Sequence, residues 1–124
     1  MLAADTSTLI AYFGGDGGRD VEMLVEVLGG NGIVLPPVVL CELLSEPALP
    51  VHLRTILTDL PLIDLTPDYW ARAAASRAKL LSHRLKARLA DTLIAQACID
   101  AGVPLIARDR DFRHFARHCG LKLA

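Results

Sequence analysis

The chain has 124 residues, a net charge of −1, 52% hydrophobic residues and 22% charged residues, which suits one folded domain and excludes a disordered chain. No apolar run approaches the roughly 20 residues of a membrane span, and no secretory signal is visible. The three cysteines, Cys41, Cys98 and Cys119, fit neither a disulfide framework nor a zinc pattern. We therefore expect reduced thiols, a cytoplasmic protein and no membrane association.

The first half of the chain alternates short apolar runs with helical patterns. In chain order we predict a strand at 2–5, a helix through Phe13 with N-caps from Thr6, Ser7 or Thr8, a helix at about 19–28, a strand at 33–35, a helix opened by Pro36-Pro37, and a helix at about 50–59. The glycine clusters at 14–18 and 29–32 end the first two helices.

The second half continues the same alternation. We predict a strand at 62–65, a long amphipathic helix from about Thr66 to Leu81, a basic loop at 82–88, a buried helix at 90–101, a strand at 103–107, a short helix at about 112–118 and a last strand at 121–123. Helical crossovers without hairpin signals predict a single α/β domain over residues 1–124, built as a sandwich around a mainly parallel sheet.

Four acidic residues stand at distinctive places in this pattern. Asp5 and Asp109 follow apolar strands, Glu42 is alone in an apolar helix, and Asp91 lies in the first turn of the buried helix. Because ligands bind beyond the carboxyl ends of parallel strands, we expect all four to meet at one edge of the sheet.

Carboxylates brought together in this way repel one another unless cations neutralise them. Mg²⁺ binds oxygen ligands of this kind, and two such ions can promote cleavage of a phosphodiester. Each acid also has a simpler interpretation: Asp5 as a helix cap, Asp91 as a partner of the helix dipole, and Asp109 and Asp111 as turn residues. The joint placement favours a metal site.

Basic residues are concentrated in the second half of the chain. Residues 1–68 carry two basic and ten acidic residues, whereas residues 69–124 carry eleven basic and four acidic ones. This asymmetry favours a nucleic-acid partner, although a solvated helix face would explain many of the charges equally well. Next to Asp109, Arg108, Arg110 and Arg113 are candidates for contacts with the phosphate backbone of a nucleic acid.

Other combinations of reactive residues are less informative. His114 and His118 have a spacing that can bind zinc, but no third ligand is near in sequence, so a surface pair is favoured. The glycine clusters match no nucleotide-binding motif. Trp70 is expected to pack in the core or at a dimer interface.

Four segments together resemble the PIN-domain family, and in length and order the small VapC-type toxins of bacterial toxin–antitoxin modules. These segments are Asp5-Thr6-Ser7-Thr8-Leu9-Ile10, Glu42 after Val38-Val39-Leu40-Cys41, Asp91-Thr92-Leu93-Ile94-Ala95-Gln96-Ala97, and Leu105-Ile106-Ala107-Arg108-Asp109-Arg110-Asp111-Phe112. The resemblance covers essentially the whole chain, and the third and fourth segments are the most specific.

The resemblance implies a three-layer α/β/α sandwich and an endoribonuclease that depends on Mg²⁺ or Mn²⁺. The implied metal site consists of Asp5, Glu42, Asp91 and Asp109, with Ser7 and Asp111 in supporting positions. Water would attack the phosphodiester in line, leaving a 5′-phosphate and a 3′-hydroxyl. The implied partners are RNA, a second copy of the chain and a small VapB-like antitoxin that blocks the active site.

Two features depart from the family pattern. Ala107 stands where the family usually has Thr or Ser, and the first strand contains Ala3-Ala4 in place of bulkier residues. The alternatives to a toxin nuclease are an RNA-processing PIN nuclease and a catalytically inactive PIN-like binding module. A receiver-like phosphate-binding domain is disfavoured because no lysine follows an apolar strand.

Overall fold

A parallel sheet of three short strands lies at the centre of the protein. The structure is a computed structural model and describes residues 1–30 and 32–124. The strands are β1 (Leu2–Ala4), β2 (Ile33–Val34) and β3 (Leu105–Ile106), in the order β2-β1-β3. All pairs are parallel, so the carboxyl ends of the strands meet at one edge of the sheet.

Seven helices within the described residues surround this sheet. They are α1 (Thr6–Phe13), α2 (Arg19–Leu28), α3 (Pro37–Leu44), α4 (Val51–Asp59), α5 (Tyr69–Ser82), α6 (Leu89–Ala101) and α7 (Phe112–Cys119). Each corresponds to a predicted helix, and together with the parallel sheet they confirm the predicted α/β sandwich. Asn31, which was expected to help end the second helix, lies outside the described residues.

Two predicted strands are only single bridges. Leu62 pairs with Leu35, and Leu123 pairs with Leu105, each in parallel and outside the three strands. At the first bridge, Pro61 limits the pairing because it has no N–H to donate and contributes only its carbonyl, to Leu35 N–H. At the second bridge, Leu105 accounts for the pairing, since its N–H donates to the Lys122 carbonyl and its carbonyl accepts from Ala124 N–H. The predictions of strands at 62–65 and 121–123 were therefore too long.

The hydrophobic core packs the helices against one another and around the sheet. Its largest fully buried side chains come from strands and helices alike and include Leu9, Leu24, Leu35, Ile94, Leu105, Phe112 and Phe115. Helix α6 packs against α3, α5 and α7, so its first turn is fixed relative to the strand ends. No helix in the described part of the chain has the length and hydropathy to cross a membrane.

Candidate active site

A cleft of about 230 Å³ opens at the carboxyl ends of β1 and β3. It is lined by Asp5, Thr6, Ser7, Ile10, Glu42, Arg88, Asp91, Ile94, Asp109 and Phe112. The parallel sheet brings Asp5 and Asp109 to the same edge, and α3 and α6 add Glu42 and Asp91. The structure thus places the four predicted acids around one cleft.

Asp5 is buried and held by three donors. Its Oδ1 accepts from Thr8 N–H at 2.8 Å, and its Oδ2 accepts from the Ser7 hydroxyl at 3.0 Å and from Arg108 N–H at 3.1 Å. The bond from Thr8 makes Asp5 itself the N-cap of α1. Capping by Thr6, Ser7 or Thr8 was therefore a wrong prediction, and Asp5 both caps the helix and lines the cleft.

Glu42 is a solvent-exposed residue that lines the cleft from α3. It lies on the exposed face of α3, and its Oε1 accepts a hydrogen bond from the Thr6 hydroxyl at 2.6 Å. The apolar residues around it in sequence do not bury it, because α3 packs through other positions, Val39 and Leu43. Glu42 is thus an exposed carboxylate at the rim of the cleft, oriented by the hydrogen bond from Thr6.

Asp91, Asp109 and Asp111 form the tightest acidic group. One carboxylate oxygen from each lies within 4.8 Å of the others. Asp109 Oδ1 accepts from Asp111 N–H at 2.9 Å, which fixes the turn, and Asp111 Oδ2 lies 3.6 Å from Lys86 Nζ. Both acids of this turn therefore face Asp91, and neither excludes the other.

Asp91 is in an unfavourable position for a carboxylate. Burial, followed by the charges of Asp109 and Glu42, raises its pKa from 3.8 to about 6, although Arg88 opposes the shift. Its Oδ2 is buried and has no hydrogen-bond partner among the residues that the structure describes. A buried acceptor without a donor is costly, and a hard cation bound by oxygen ligands would satisfy it. The donor set therefore fits a divalent metal ion.

The three predicted RNA-binding arginines line one pocket together with Asp109, but Arg108 is also held by other residues. The guanidinium of Arg108 donates to both carboxylate oxygens of Asp20, at 2.9 and 3.1 Å, and to the Gly17 carbonyl at 2.7 Å. It is engaged on the α2 side of β3 and does not line the cleft. Arg110 and Arg113 are exposed.

Comparison with known proteins identifies the family. The PIN domain family matches the sequence over residues 3–118. The chain belongs to the PIN-domain family. This confirms the resemblance seen in the four sequence segments, and it agrees with the parallel sheet and the acidic cleft of the structure. No curated protein matches the sequence significantly.

Solved structures with the same fold include chains from three VapBC complexes. The PIN domain superposes with a TM-score of 0.74 on a chain of VapBC2 from Rickettsia felis bound to a promoter DNA fragment, at 22% identity, with 99% and 96% of the two chains covered. For a chain of VapBC-5 from Mycobacterium tuberculosis the TM-score is 0.68 at 19% identity, with 98% of this chain and 95% of that chain covered. For a chain of DNA-bound VapBC from Salmonella typhimurium the TM-score is 0.73 at 16% identity, with 100% of this chain and 98% of that chain covered.

Two residues near the cleft escaped the sequence prediction. Arg88 precedes α6 and lines the cleft, although it reads in sequence as one more charge of a basic loop. Its spacing of three residues from Asp91, one helical turn away, was the available signal. Asp20 follows a glycine cluster in the first half of the chain, and nothing in its local sequence indicates that it contacts Arg108 across 88 positions.

Proposed function

We propose that this PIN domain, acting as a single domain over residues 1–124, is an endoribonuclease that depends on Mg²⁺ or Mn²⁺. The observation that carries the proposal is the Asp91 carboxylate. Its buried Oδ2 has no partner in the described part of the chain, and Asp109 and Asp111 approach it within 4.8 Å. A group so arranged destabilises the empty protein and suits a bound cation.

In this proposal the side chains have distinct roles. Asp5, Glu42, Asp91 and Asp109 hold the metal, Ser7 orients the Asp5 carboxylate, and Asp111 supports Asp109 through its backbone N–H. A divalent ion, when bound, activates water and neutralises charge on the cleaved phosphodiester. The chemistry needs no nucleophilic side chain, which agrees with a cleft of carboxylates.

Arg88 is the cationic group best placed to contact the substrate. It is exposed and lines the cleft, and the ion pairs found within residues 1–30 and 32–124 leave its guanidinium without a carboxylate partner. A guanidinium beside an acidic metal site suits a phosphate next to the cleaved bond. Arg110 and Arg113, exposed beyond the acidic turn, remain candidates for more distant phosphates.

We further propose that the nuclease acts as the toxin of a type II toxin–antitoxin pair, with a VapB-like antitoxin as partner. An apolar groove of about 520 Å³ between α1, α3 and α4 shares Ile10 and Glu42 with the acidic cleft. A partner segment with apolar side chains in this groove would extend directly over the cleft. Inhibition by occlusion of the site follows from that continuity.

A homodimer and a cytoplasmic location complete the proposal. Trp70 on α5 is 65% exposed, whereas the neighbouring Tyr69 is buried and donates its hydroxyl to the Leu93 carbonyl. An exposed tryptophan of this kind suits a contact with a second copy of the chain. Sedimentation of wild type and Trp70→Ala tests this, since a dimer that Trp70 stabilises should dissociate in the variant.

Cleavage of a labelled RNA by purified protein tests the nuclease directly. We expect cleavage with Mg²⁺ or Mn²⁺, none with EDTA, and products that carry 5′-phosphates. Asp91→Asn should lose nearly all activity, whereas Asp100→Asn, a variant of the same helix remote from the cleft, should remain active. Cleavage near the wild-type rate in EDTA or in Asp91→Asn would contradict the proposed site.

Induction in a bacterium separates the toxin from its alternatives. Brief expression of wild type should arrest growth and create sharp new RNA 5′ ends that Asp5→Asn does not create. Asn caps helices as well as Asp, so this variant should retain the start of α1. Cleavage without growth arrest would favour an RNA-processing nuclease. Growth arrest that Asp5→Asn also causes would favour a catalytically inactive binding module.

A further inference from the structure

A polar cluster behind the cleft connects α2 to the residues that hold Asp5. The cluster consists of Asp20 at the start of α2, Thr8 on α1 and Arg108 after β3. The Thr8 hydroxyl donates to Asp20 Oδ2 at 3.0 Å, and the Arg108 guanidinium donates to both Asp20 oxygens at 2.9 and 3.1 Å. One buried carboxylate thus binds two side chains from separate elements.

Thr8 and Arg108 are also the residues whose backbone N–H groups orient Asp5. Thr8 N–H donates to Asp5 Oδ1 at 2.8 Å and Arg108 N–H donates to Asp5 Oδ2 at 3.1 Å. Asp20 therefore accepts hydrogen bonds from the side chains of Thr8 and Arg108, and the backbone N–H groups of the same two residues donate to Asp5. Asp20 does not line the cleft, and its contacts with Thr8 and Arg108 are what connect it to Asp5.

The surroundings of Asp20 leave this arrangement little freedom. Gly18 has a φ of 137°, and a Cβ at this position would lie 2.7 Å from Asp20 Oδ1 and 2.9 Å from Arg108 Nη2. Only glycine allows the loop to approach the ion pair so closely. The bond from Arg108 keeps the pKa of Asp20 below its usual value, so the carboxylate stays charged at neutral pH.

We propose that Asp20 is a positioning residue for the metal site, acting through Thr8 and Arg108 to hold Asp5 in the orientation that binds the ion. The inference rests on the proposed function, since it takes Asp5 as a metal ligand. Residues that orient ligands from behind commonly change metal affinity by about 10- to 100-fold when they are substituted. The same geometry gives Arg108 a positioning role in place of the RNA contact expected from sequence.

Mn²⁺ binding tests the inference without any need for activity, and it can be measured from the loss of the spectroscopic signal of free Mn²⁺. We expect Asp20→Asn to weaken Mn²⁺ binding by about tenfold. Amide hydrogen exchange at Thr8 and Arg108 should become faster in this variant. Asp100→Asn is the matched control, because Asp100 also receives a two-point contact from an arginine, Arg72, but far from the cleft. It should lose stability without losing Mn²⁺ affinity.

A second pair of variants covers the case in which Asp20→Asn does not fold. Thr8→Val removes the hydroxyl that binds Asp20 but keeps the backbone N–H that binds Asp5, and Thr8→Ser restores the hydroxyl. We expect Val to weaken Mn²⁺ binding and Ser to retain it. Unchanged Mn²⁺ affinity in a folded Asp20→Asn or in Thr8→Val would overturn the positioning role. Failure of the wild type to bind Mn²⁺ would instead overturn the proposed function and, with it, this inference.

Discussion

The two ends of α6 place an aspartate in opposite environments. At the carboxyl end, Asp100 accepts hydrogen bonds from Arg72, Gln96 and Thr66. These contacts, above all the one from Arg72, keep its pKa below the usual value. At the amino end, Asp91 has one buried oxygen without a partner in the described chain, and its pKa is raised to about 6.

The difference shows which carboxylate stabilises the fold and which is available to a ligand. The two aspartates are nine positions apart on the same helix, or about 13.5 Å along its axis, so they do not contact each other. Asp100 joins α5 to α6 and has its charge compensated by the protein itself. Asp91 lies among like charges and lacks such compensation. Substitution of Asp100 should therefore lower stability and leave activity intact, whereas substitution of Asp91 should abolish most of the activity.

The largest expected effect is the loss of cleavage in Asp91→Asn. We expect RNA cleavage to fall by a factor on the order of 10³, about 4 kcal/mol of transition-state stabilisation, because an amide is a poor ligand for a hard cation. Single-turnover rates of both proteins, at an Mn²⁺ concentration that saturates the wild type, measure this. Retention of most of the rate would remove Asp91 from the site.

The next effect is a loss of stability in Asp100→Asn. Replacing the Asp100 carboxylate, which accepts several hydrogen bonds and pairs with the partly exposed Arg72, should lower the free energy of unfolding by about 1–2 kcal/mol, since Arg72 keeps part of its solvent contact. Denaturant unfolding measures the change, and the cleavage rate of the folded variant should stay at the wild-type level. A matching loss of activity would mean that the two ends of α6 are coupled.

A smaller effect is expected for Arg88→Ala. If the guanidinium binds a phosphate of the substrate, KM should rise roughly tenfold, about 1.4 kcal/mol, while Mn²⁺ affinity stays the same or increases. Steady-state kinetics at fixed Mn²⁺ separate KM from kcat. Arg84, in the same basic loop but outside the cleft, provides the control variant, Arg84→Ala. Equal effects of both substitutions would indicate general electrostatic attraction.

The pH dependence of stability without metal should also differ between wild type and Asp91→Asn. The pKa of Asp91 is about 6 in the folded protein and 3.8 ordinarily, so the folded state binds more protons between these values. The stabilising contribution of protonated Asp91 is therefore complete below 3.8 and is lost as the pH rises through about 6. In Asp91→Asn, the free energy of unfolding should not show this part of the decrease with rising pH. Identical pH profiles of unfolding in EDTA would argue against the raised pKa.

The sequence was sufficient for the elements and for the convergence of the acids. Helical periodicity and capping signals are local, and the rule that parallel strands end at one edge places Asp5 and Asp109 together without coordinates. Strand length was less predictable, because pairing at Leu62 and Leu123 depends on neighbours distant in sequence. The exposure of Glu42 depends on how α3 packs, which an apolar pattern on all sides does not specify.

Contacts between distant segments account for the remaining errors. Arg108 is adjacent to Asp109 in sequence, which suggested the same function, but consecutive residues after a strand point in different directions. Its partner, Asp20, lies on α2, and only the folded chain brings the two together. The place of Arg88 in the cleft likewise follows from the packing of α6 against α3, α5 and α7.

Stabilisation by Mn²⁺ is the most direct test that the amino end of α6 belongs to a metal site. Thermal unfolding of wild type, Asp91→Asn and Asp100→Asn would be followed at neutral pH with increasing Mn²⁺. We expect the ion to raise the Tm of wild type and Asp100→Asn, corresponding to about 2.7 kcal/mol at 100 times Kd, and to leave Asp91→Asn unchanged. No shift in the wild type, or an equal shift in Asp91→Asn, would contradict the metal site.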